Sequence, residues 1–333
     1  MPATLQAIIV NYRVAGLAVE AVRSLIHDMQ GLEGGVTVVD NDSGDGSVEH
    51  LERAVRDNGW GDRVRILPSG RNGGFGFGNN VGIRDALARP NPPEFFFLLN
   101  PDARVRPGTL RALSNFLEAN PRAAIAGARM FGPGGQPAAS AFRFPTVLSE
   151  FESTIQFGPV SRLLESYIVA RPGPGRTCEV DWVSGAAFMV RRTALERVGL
   201  FDERFFLYYE EIDLCRRMRQ AGFTVHHVHE TGVDHEEEAA TGINKRRRPT
   251  YWFDSRQYYF DKSHGRAYRV AANVAWVLGA SLHRARCAVT GRAPGLPQYM
   301  VRDFVRHALG SSQKQSRSAE PRERATVPLE PAE

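Results

Sequence analysis

Short apolar runs alternate with helical spacing through the N-terminal third of the chain. Residues 5–12 (LQAIIVNY), 36–40 (VTVVD), 63–67 (RVRIL) and 95–99 (FFFLL) are rich in β-branched or aromatic side chains, which predicts buried strands. Between them, Val19 to Met29 and Ser47 to Asp57 carry apolar residues at helical intervals, and Asn80 to Ala88 predicts a helix after a glycine-rich turn. Alternating strands and helices imply right-handed crossovers and a mainly parallel sheet covered on both faces, an α/β fold. Ligands of such sheets bind outside the carboxyl ends of the strands. Polar residues stand at those ends here: Asn11, then Asp40 to Ser43, then Asn100 to Asp102.

From about residue 128 to 176 the periodicity loosens among many Gly and Pro, which predicts long loops over one side of the sheet. Regular structure is expected again over Glu179 to Val190, as helices over Arg192 to Val198 and Glu211 to Ala221, and as a strand over Thr224 to Val228. Ser311 to Glu333 is rich in Ser, Pro, Glu and Arg with almost no large apolar residue, and is expected to be a disordered tail.

Composition narrows the classes. With 333 residues, 42% hydrophobic and 24% charged, the chain is neither wholly disordered nor a collagen-like or coiled-coil rod. Cys178, Cys215 and Cys287 are odd in number and widely spaced, so they build neither a disulfide framework nor a zinc module, and a reducing compartment fits. MPATLQAIIVNY lacks a basic n-region, so a cytoplasmic location is expected. The net charge of +5 conceals a segregation: residues 1–244 hold 25 basic and 30 acidic side chains, whereas residues 245–310 hold 13 basic and 3 acidic. A basic C-terminal stretch suits nucleic acid, an anionic membrane surface or a phosphorylated substrate.

The candidate chemistry is dispersed. Gly73, Gly74, Gly76 and Gly78 fit neither G-x-G-x-x-G nor a GK[ST] loop, leaving a tight turn or a nucleotide-facing loop. Asp102, straight after FFFLL, suits either a divalent cation completed by substrate phosphates or the start of a turn, and Asp40 has the same ambiguity. Glu210, Glu211 and Asp213 crowd a helix start behind an aromatic approach from Phe201 to Tyr209, where a carboxylate is a reasonable general base. His226, His227, His229 and His235 lack zinc-ligand spacing, although one of them can complete a cation site with Asp102.

Seven strings in order and spacing over about residues 5–265 carry a resemblance: IIVNY (8–12), VVDNDSGDGS (38–47), NGGFGFGNNVG (72–82), LLNPDARVRPG (98–108), VDWVSGAAFMVRR (180–192), GLFDERFFLYYEEIDLCRR (199–217) and GFTVHHVHETGVDH (222–235). Together they resemble the family 2 glycosyltransferases, inverting enzymes of the GT-A fold, especially rhamnosyltransferase-like members acting on lipid-linked glycans. The resemblance implies that Asn11, Asp40, Asn72, Gly74, Asn80 and Asp102 line a nucleotide-sugar site. It implies that Asp102 and His235 hold Mg²⁺ or Mn²⁺, and that Trp182, Ser184, Gly185, Glu210 and Arg256 face the acceptor. Glu211 stands where the family has its catalytic aspartate, one methylene longer, and would be the base in a single inverting displacement.

The implied donor is dTDP-L-rhamnose, with a UDP-sugar such as UDP-galactofuranose as the alternative, and the implied acceptor is a lipid-linked or cell-wall polysaccharide glycan. A catalytically inactive nucleotide-sugar- or glycan-binding protein is the competing class, disfavoured by the intact NPD and His235. No nucleic-acid-binding pattern is present, so a nucleic-acid partner is not expected. The implied domains are a transferase domain over 1–265, a basic helical extension over 266–310 and the tail. Val270 to Leu282 is 13 residues without a charge, too short to span a bilayer and flanked by Arg266, Arg269, Arg284 and Arg286. An interfacial helix follows, placing the protein peripherally on the inner face of the plasma membrane; packing on the core or on another subunit, in a homo-oligomer, is the alternative.

Overall fold

The computed structural model describes residues 4–170, 175–235, 247–293, 295, 297 and 299–310. Its elements run β1 (Leu5–Asn11), α1 (Ala15–Asp28), β2 (Gly34–Asp40), α2 (Ser47–Asp57), β3 (Val64–Pro68), α3 (Gly74–Leu87), β4 (Phe95–Leu99), β5 (Ala103–Val105), α4 (Thr109–Ala119) and β6 (Ala123–Phe131). They continue with β7 (Ala141–Phe142), α5 (Val147–Ile155), α6 (Gly158–Leu163), β8 (Cys178–Glu179), β9 (Trp182–Val183), β10 (Ala187–Arg191), α7 (Arg192–Val198), α8 (Glu210–Gln220), β11 (Thr224–His235), α9 (Thr250–His264), α10 (Arg266–Thr290) and α11 (Met300–Gly310).

One nine-stranded sheet runs β3-β2-β1-β4-β10-β6-β11-β5, with β8 paired to β11, and β7 and β9 form a small second sheet. The four expected strands pair in parallel, and every residue of β1 and of β4 is buried, as their continuous apolar composition requires. β10 enters antiparallel between β4 and β6, while β6 and β11 pair in parallel. One core layer packs α1 and α4 on the sheet, and the other packs α3, α8 and α9 on the opposite face.

Three differences from the sequence reading have physical causes. β6 (AAIAGARMF) lies where no strand was expected, because its Ala and Gly residues have weak strand propensity. It is buried between two neighbours, and a Cβ on Gly127 would come within 2.5 Å of Val183. α3 starts at Gly74, ahead of Asn80, because its glycines are packing positions: a Cβ on Gly78 would lie 2.6 Å from Val10 Cγ1. The expected loop over 128–176 contains α5, opened by a capping box in which Thr146 and Ser149 exchange hydrogen bonds with each other's backbone.

α5, α9, α10 and α11 pack together beside the sheet, with Phe253, Trp276, Ala280, Met300 and Phe304 as a separate small core and Trp276 stacked on Phe304 at 4.0 Å. Gly265, with a φ of +86°, ends α9 and opens α10, and the small core runs across it from Phe253 of α9 to Trp276 of α10. Lys245, Arg246 and the tail from Ser311 lie outside the described residues.

Candidate active site

The carboxyl ends of the parallel strands build the floor of the site. Asn11, ending β1, donates from Nδ2 to Asp40 Oδ1 at 2.7 Å, and Asp40 also accepts from the Ser43 hydroxyl at 2.6 Å and from its backbone N–H at 3.0 Å. The pair is buried, so these two residues shape the β1 and β2 exits through contacts with each other and with Ser43. Asn41, beside them, donates to Asn72 Oδ1 at 3.1 Å and to the Gly74 carbonyl at 3.0 Å, which brings both expected residues of the glycine turn to the same edge. Asn41 and Ser43 stood among the polar residues counted at the β2 exit in sequence but were given no role there, because a polar string after a strand is also ordinary turn chemistry.

Gly74 has a φ of +85°, and a Cβ there would overlap the Phe206 carbonyl, to which Phe75 N–H donates at 3.0 Å. The glycine turn is thereby docked on the segment before α8. Asn80 serves the same junction: it donates to the Phe201 carbonyl and to Glu203 Oε1, both at 2.9 Å, and accepts from Phe201 N–H at 3.0 Å. Asn80 is wholly buried with its amide occupied, and so supports the site from behind.

Asp102 and His235 meet through strand register. β5 pairs antiparallel with the end of β11, with Ala103 opposite His235, and a register shift between Val228 and Val233 turns the late part of β11 toward the β4 exit. His235 Nε2 lies 3.2 Å from Asp102 Oδ1 and 3.4 Å from Asn100 Nδ2. Arg106 secures this arm: its guanidinium binds Asp234 at 2.6 Å and its backbone N–H donates to Gly232 at 2.8 Å. Among the described residues no three His, Cys, Asp or Glu side chains gather as a metal cage. A carboxylate and an imidazole this close fit a cation that takes its remaining oxygens from a diphosphate and water.

The other wall is the start of α8. Tyr208 and Tyr209 both have a φ of +70°, an uncommon conformation for large side chains, and the turn they form aims Glu210 and Glu211 off the helix N-terminus. Oε2 of each glutamate is buried without a hydrogen-bond partner. Burial pushes the Glu211 carboxyl up to about 7, and burial together with the neighbouring Glu211 raises that of Glu210 well above the usual carboxylate range. Gly185 contacts Glu211, since a Cβ there would be 3.6 Å from Glu211 Cγ, and Ser184 precedes it, accepting from Ala186 N–H at 3.3 Å. Asp213 is instead paired with Lys262 at 2.6 Å and Arg217 at 2.8 Å, so its charge is already compensated.

Two expected acceptor residues stand elsewhere. Trp182 is buried, stacked on Phe142 at 4.1 Å with its indole N–H on the Arg143 carbonyl at 2.8 Å, which makes it a packing residue behind Ser184. Arg256 is 1% exposed; it binds Glu150 at 2.6 Å and Asn273 at 2.6 Å, and a guanidinium so enclosed presents nothing to an acceptor. Phe206 and Tyr208 of the aromatic approach gather on Tyr251: Phe206 lies 5.4 Å from its ring and Tyr208 stacks on it at 6.2 Å. Their partner comes from α9, so local spacing gave no signal of the cluster. His226 and His227 pair with β8 and β6 on the β11 body, and His229 meets Thr177 and Arg129 instead of Asp102.

The model of glycosyl transferase family 2 matches residues 6–199. The chain is 30% identical over 215 residues to N-acetylglucosaminyl-diphospho-decaprenol L-rhamnosyltransferase of Mycobacterium tuberculosis, covering 62% of this chain and 68% of that protein. It is 29% identical over 222 residues to the low-salt glycan biosynthesis hexosyltransferase Agl10 of Haloferax volcanii, covering 66% and 63%. The mannosyltransferase PcManGT of Pyrobaculum calidifontis, solved with GDP-Man and Mn²⁺, superposes with a TM-score of 0.58 at 15% identity, over 95% of this chain and 89% of that one. The α/β architecture is thus that of the GT-A glycosyltransferases.

Proposed function

The chain belongs to glycosyl transferase family 2, and from that premise we propose that it moves L-rhamnose from dTDP-rhamnose to a hydroxyl of a lipid-linked cell-wall or polysaccharide glycan, with inversion at the anomeric carbon. The observation that carries the reading is Glu211: a carboxylate at a helix N-terminus, with one oxygen unpartnered and its pKa lifted to about 7, beside a glycine that leaves room at its flank. A base with that pKa is ionised over much of the neutral range and still basic enough to take a proton from a hydroxyl in the transition state.

Glu211 accepts the acceptor's proton as its oxygen attacks the anomeric carbon. The bond to the diphosphate breaks on the opposite face, so the configuration inverts. Glu210, less exposed and raised well above the usual carboxylate range by burial and by the charge of Glu211, keeps its proton when Glu211 ionises. The floor formed by Asn11, Asp40, Asn72 and Gly74 positions the nucleotide. Asp102 and His235 would hold Mg²⁺ or Mn²⁺, which when bound neutralises charge on the departing nucleoside diphosphate. That leaving group needs no carboxylic acid, which separates this arrangement from the paired carboxylates of glycosidases.

The test is release of dTDP or UDP from a panel of nucleotide sugars with a polyprenyl-diphosphate-linked acceptor and Mn²⁺. Turnover of dTDP-rhamnose that requires the acceptor is expected. Turnover of a UDP-sugar alone would replace the donor, and donor binding without transfer by any donor would reduce the chain to a binding protein.

A further inference from the structure

Among the described residues, twelve large apolar side chains are exposed, and ten of them lie on α10, α11 and the segment from α5 to Tyr167. The pattern on α10 is regular. Val270, Val274, Leu278 and Leu282 recur every fourth residue and are 46–60% exposed, and Val289 extends the line at 88%. At 1.5 Å per residue the row is about 28 Å long. The opposite face of the same helix is fully packed, through Ala272, Trp276, Ala280, His283 and Cys287. A Cβ on Gly279 would crowd the Phe151 carbonyl at 2.7 Å, so the helix is seated directly on α5 and cannot roll to hide the row.

Neighbouring elements extend the apolar surface. Arg286 donates to the carbonyls of Ile155 and Gln156, at 3.1 and 2.6 Å, and lies 4.9 Å over the Phe157 ring. It thereby fixes half-exposed Phe157 beside α10, and Leu163 of α6 follows at 82% exposure. The charges on α10 itself have one sign, while the neighbouring segment exposes both Arg162 and Glu165 beside Leu163. α10 contains no Asp or Glu, and Arg266, Arg284 and Arg292 are exposed at its ends. At about 100° per residue, Arg266 and Arg284 both fall some 40° to one side of Val270, along one flank of the row.

We propose that the exposed face of α10, with Phe157 and Leu163, is a shallow insertion surface for an anionic lipid bilayer. The apolar row enters the headgroup boundary while the flanking arginines reach lipid phosphates. No helix among the described residues is long and apolar enough to cross a membrane, so attachment by this surface is peripheral. A second copy fits the charges less well, because pairing two such faces brings arginines together with no α10 carboxylate to compensate them. The inference deepens the reading above, since a lipid-linked acceptor resides in a membrane, but the surface stands on its own geometry.

Flotation of the full chain with phosphatidylcholine vesicles, with and without phosphatidylglycerol, tests it. Binding at least about tenfold tighter to the anionic vesicles, weakened by salt, is expected. The doubly substituted Val274→Asp, Leu278→Asp protein should keep its melting temperature, because both positions are exposed, and lose vesicle binding by about tenfold or more. Arg266→Gln with Arg284→Gln should weaken anionic binding alone, and provides the test if the aspartates prevent folding. Transfer to a water-soluble acceptor should be unchanged in both variants, so loss of membrane binding is separable from loss of the proposed activity. Equal flotation of wild type and variants would overturn the proposal. So would a dimer in sedimentation equilibrium that the aspartates dissociate while vesicles bind neither protein.

Discussion

Arg256 and Glu150 form an ion pair from which water is nearly excluded: Nη2 lies 2.6 Å from Oε2, with the side chains 1% and 10% exposed. The pair joins α9 to α5, and Asn273 Oδ1 of α10 accepts from the other end of the guanidinium at 2.6 Å. Three helices of the C-terminal layer are thus tied at one buried cation. Removing the cation leaves a carboxylate without compensation, so Arg256→Ala should cost about 3–5 kcal/mol. Chemical denaturation measures it. An unchanged midpoint with a weakened acceptor KM would return Arg256 to the acceptor site.

Glu211→Gln keeps size and hydrogen bonding but removes the base. Transfer should fall by about 10² or more while donor binding, measured by calorimetry, survives. Near-normal transfer by this variant, beside an inactive Glu210→Gln, would move the base one residue earlier.

The raised pKa of Glu211 sets a pH dependence. Below about 7 the group is protonated and cannot accept a proton, so kcat should rise with pH and level off above that value. The Glu211→Gln protein should lose this limb. A profile that rises only near pH 4 would mean a base outside the buried pair.

Asp102→Ala should abolish metal-dependent transfer, and His235→Ala should raise the Mn²⁺ concentration needed for half-maximal rate by about tenfold or more. Chelation of wild type should be reversed by adding Mn²⁺ or Mg²⁺. Unaltered metal dependence in Asp102→Ala would remove the cation from this corner.

The glycine turn offers a structural control. Gly74→Ala places a Cβ against the Phe206 carbonyl at a backbone conformation with φ of +85°, and should cost about 2–4 kcal/mol. Gly16→Ala, with open space around the added carbon, should be neutral or slightly stabilising in the same melting experiment.

Much of this molecule was determined locally. The strands at 5–12, 36–40 and 95–99 are legible because a strand buried on both faces must be continuously apolar, and the polar residues after them mark the ligand-binding edge. β3 forms where 63–67 was expected but lies at the sheet edge with only Val64 buried, so the buried strand expected there is an edge strand. The NPD and EE motifs are also readable, since each is a few adjacent residues at the edge of a regular element, NPD straight after β4 and EE at the start of α8. β6 was not legible: Ala and Gly become a strand there only because β10 and β11 close over them. The β5–β11 register brings His235 to Asp102, a pairing that the resemblance had implied, while tertiary structure alone withdrew Arg256, Asn80 and Trp182 into packing and gave α10 one buried and one bare face. The physical reason is common to all of these. A side chain's role is set by what occupies its polar atoms and covers its surface, and those neighbours arrive from distant segments whose approach no local pattern encodes.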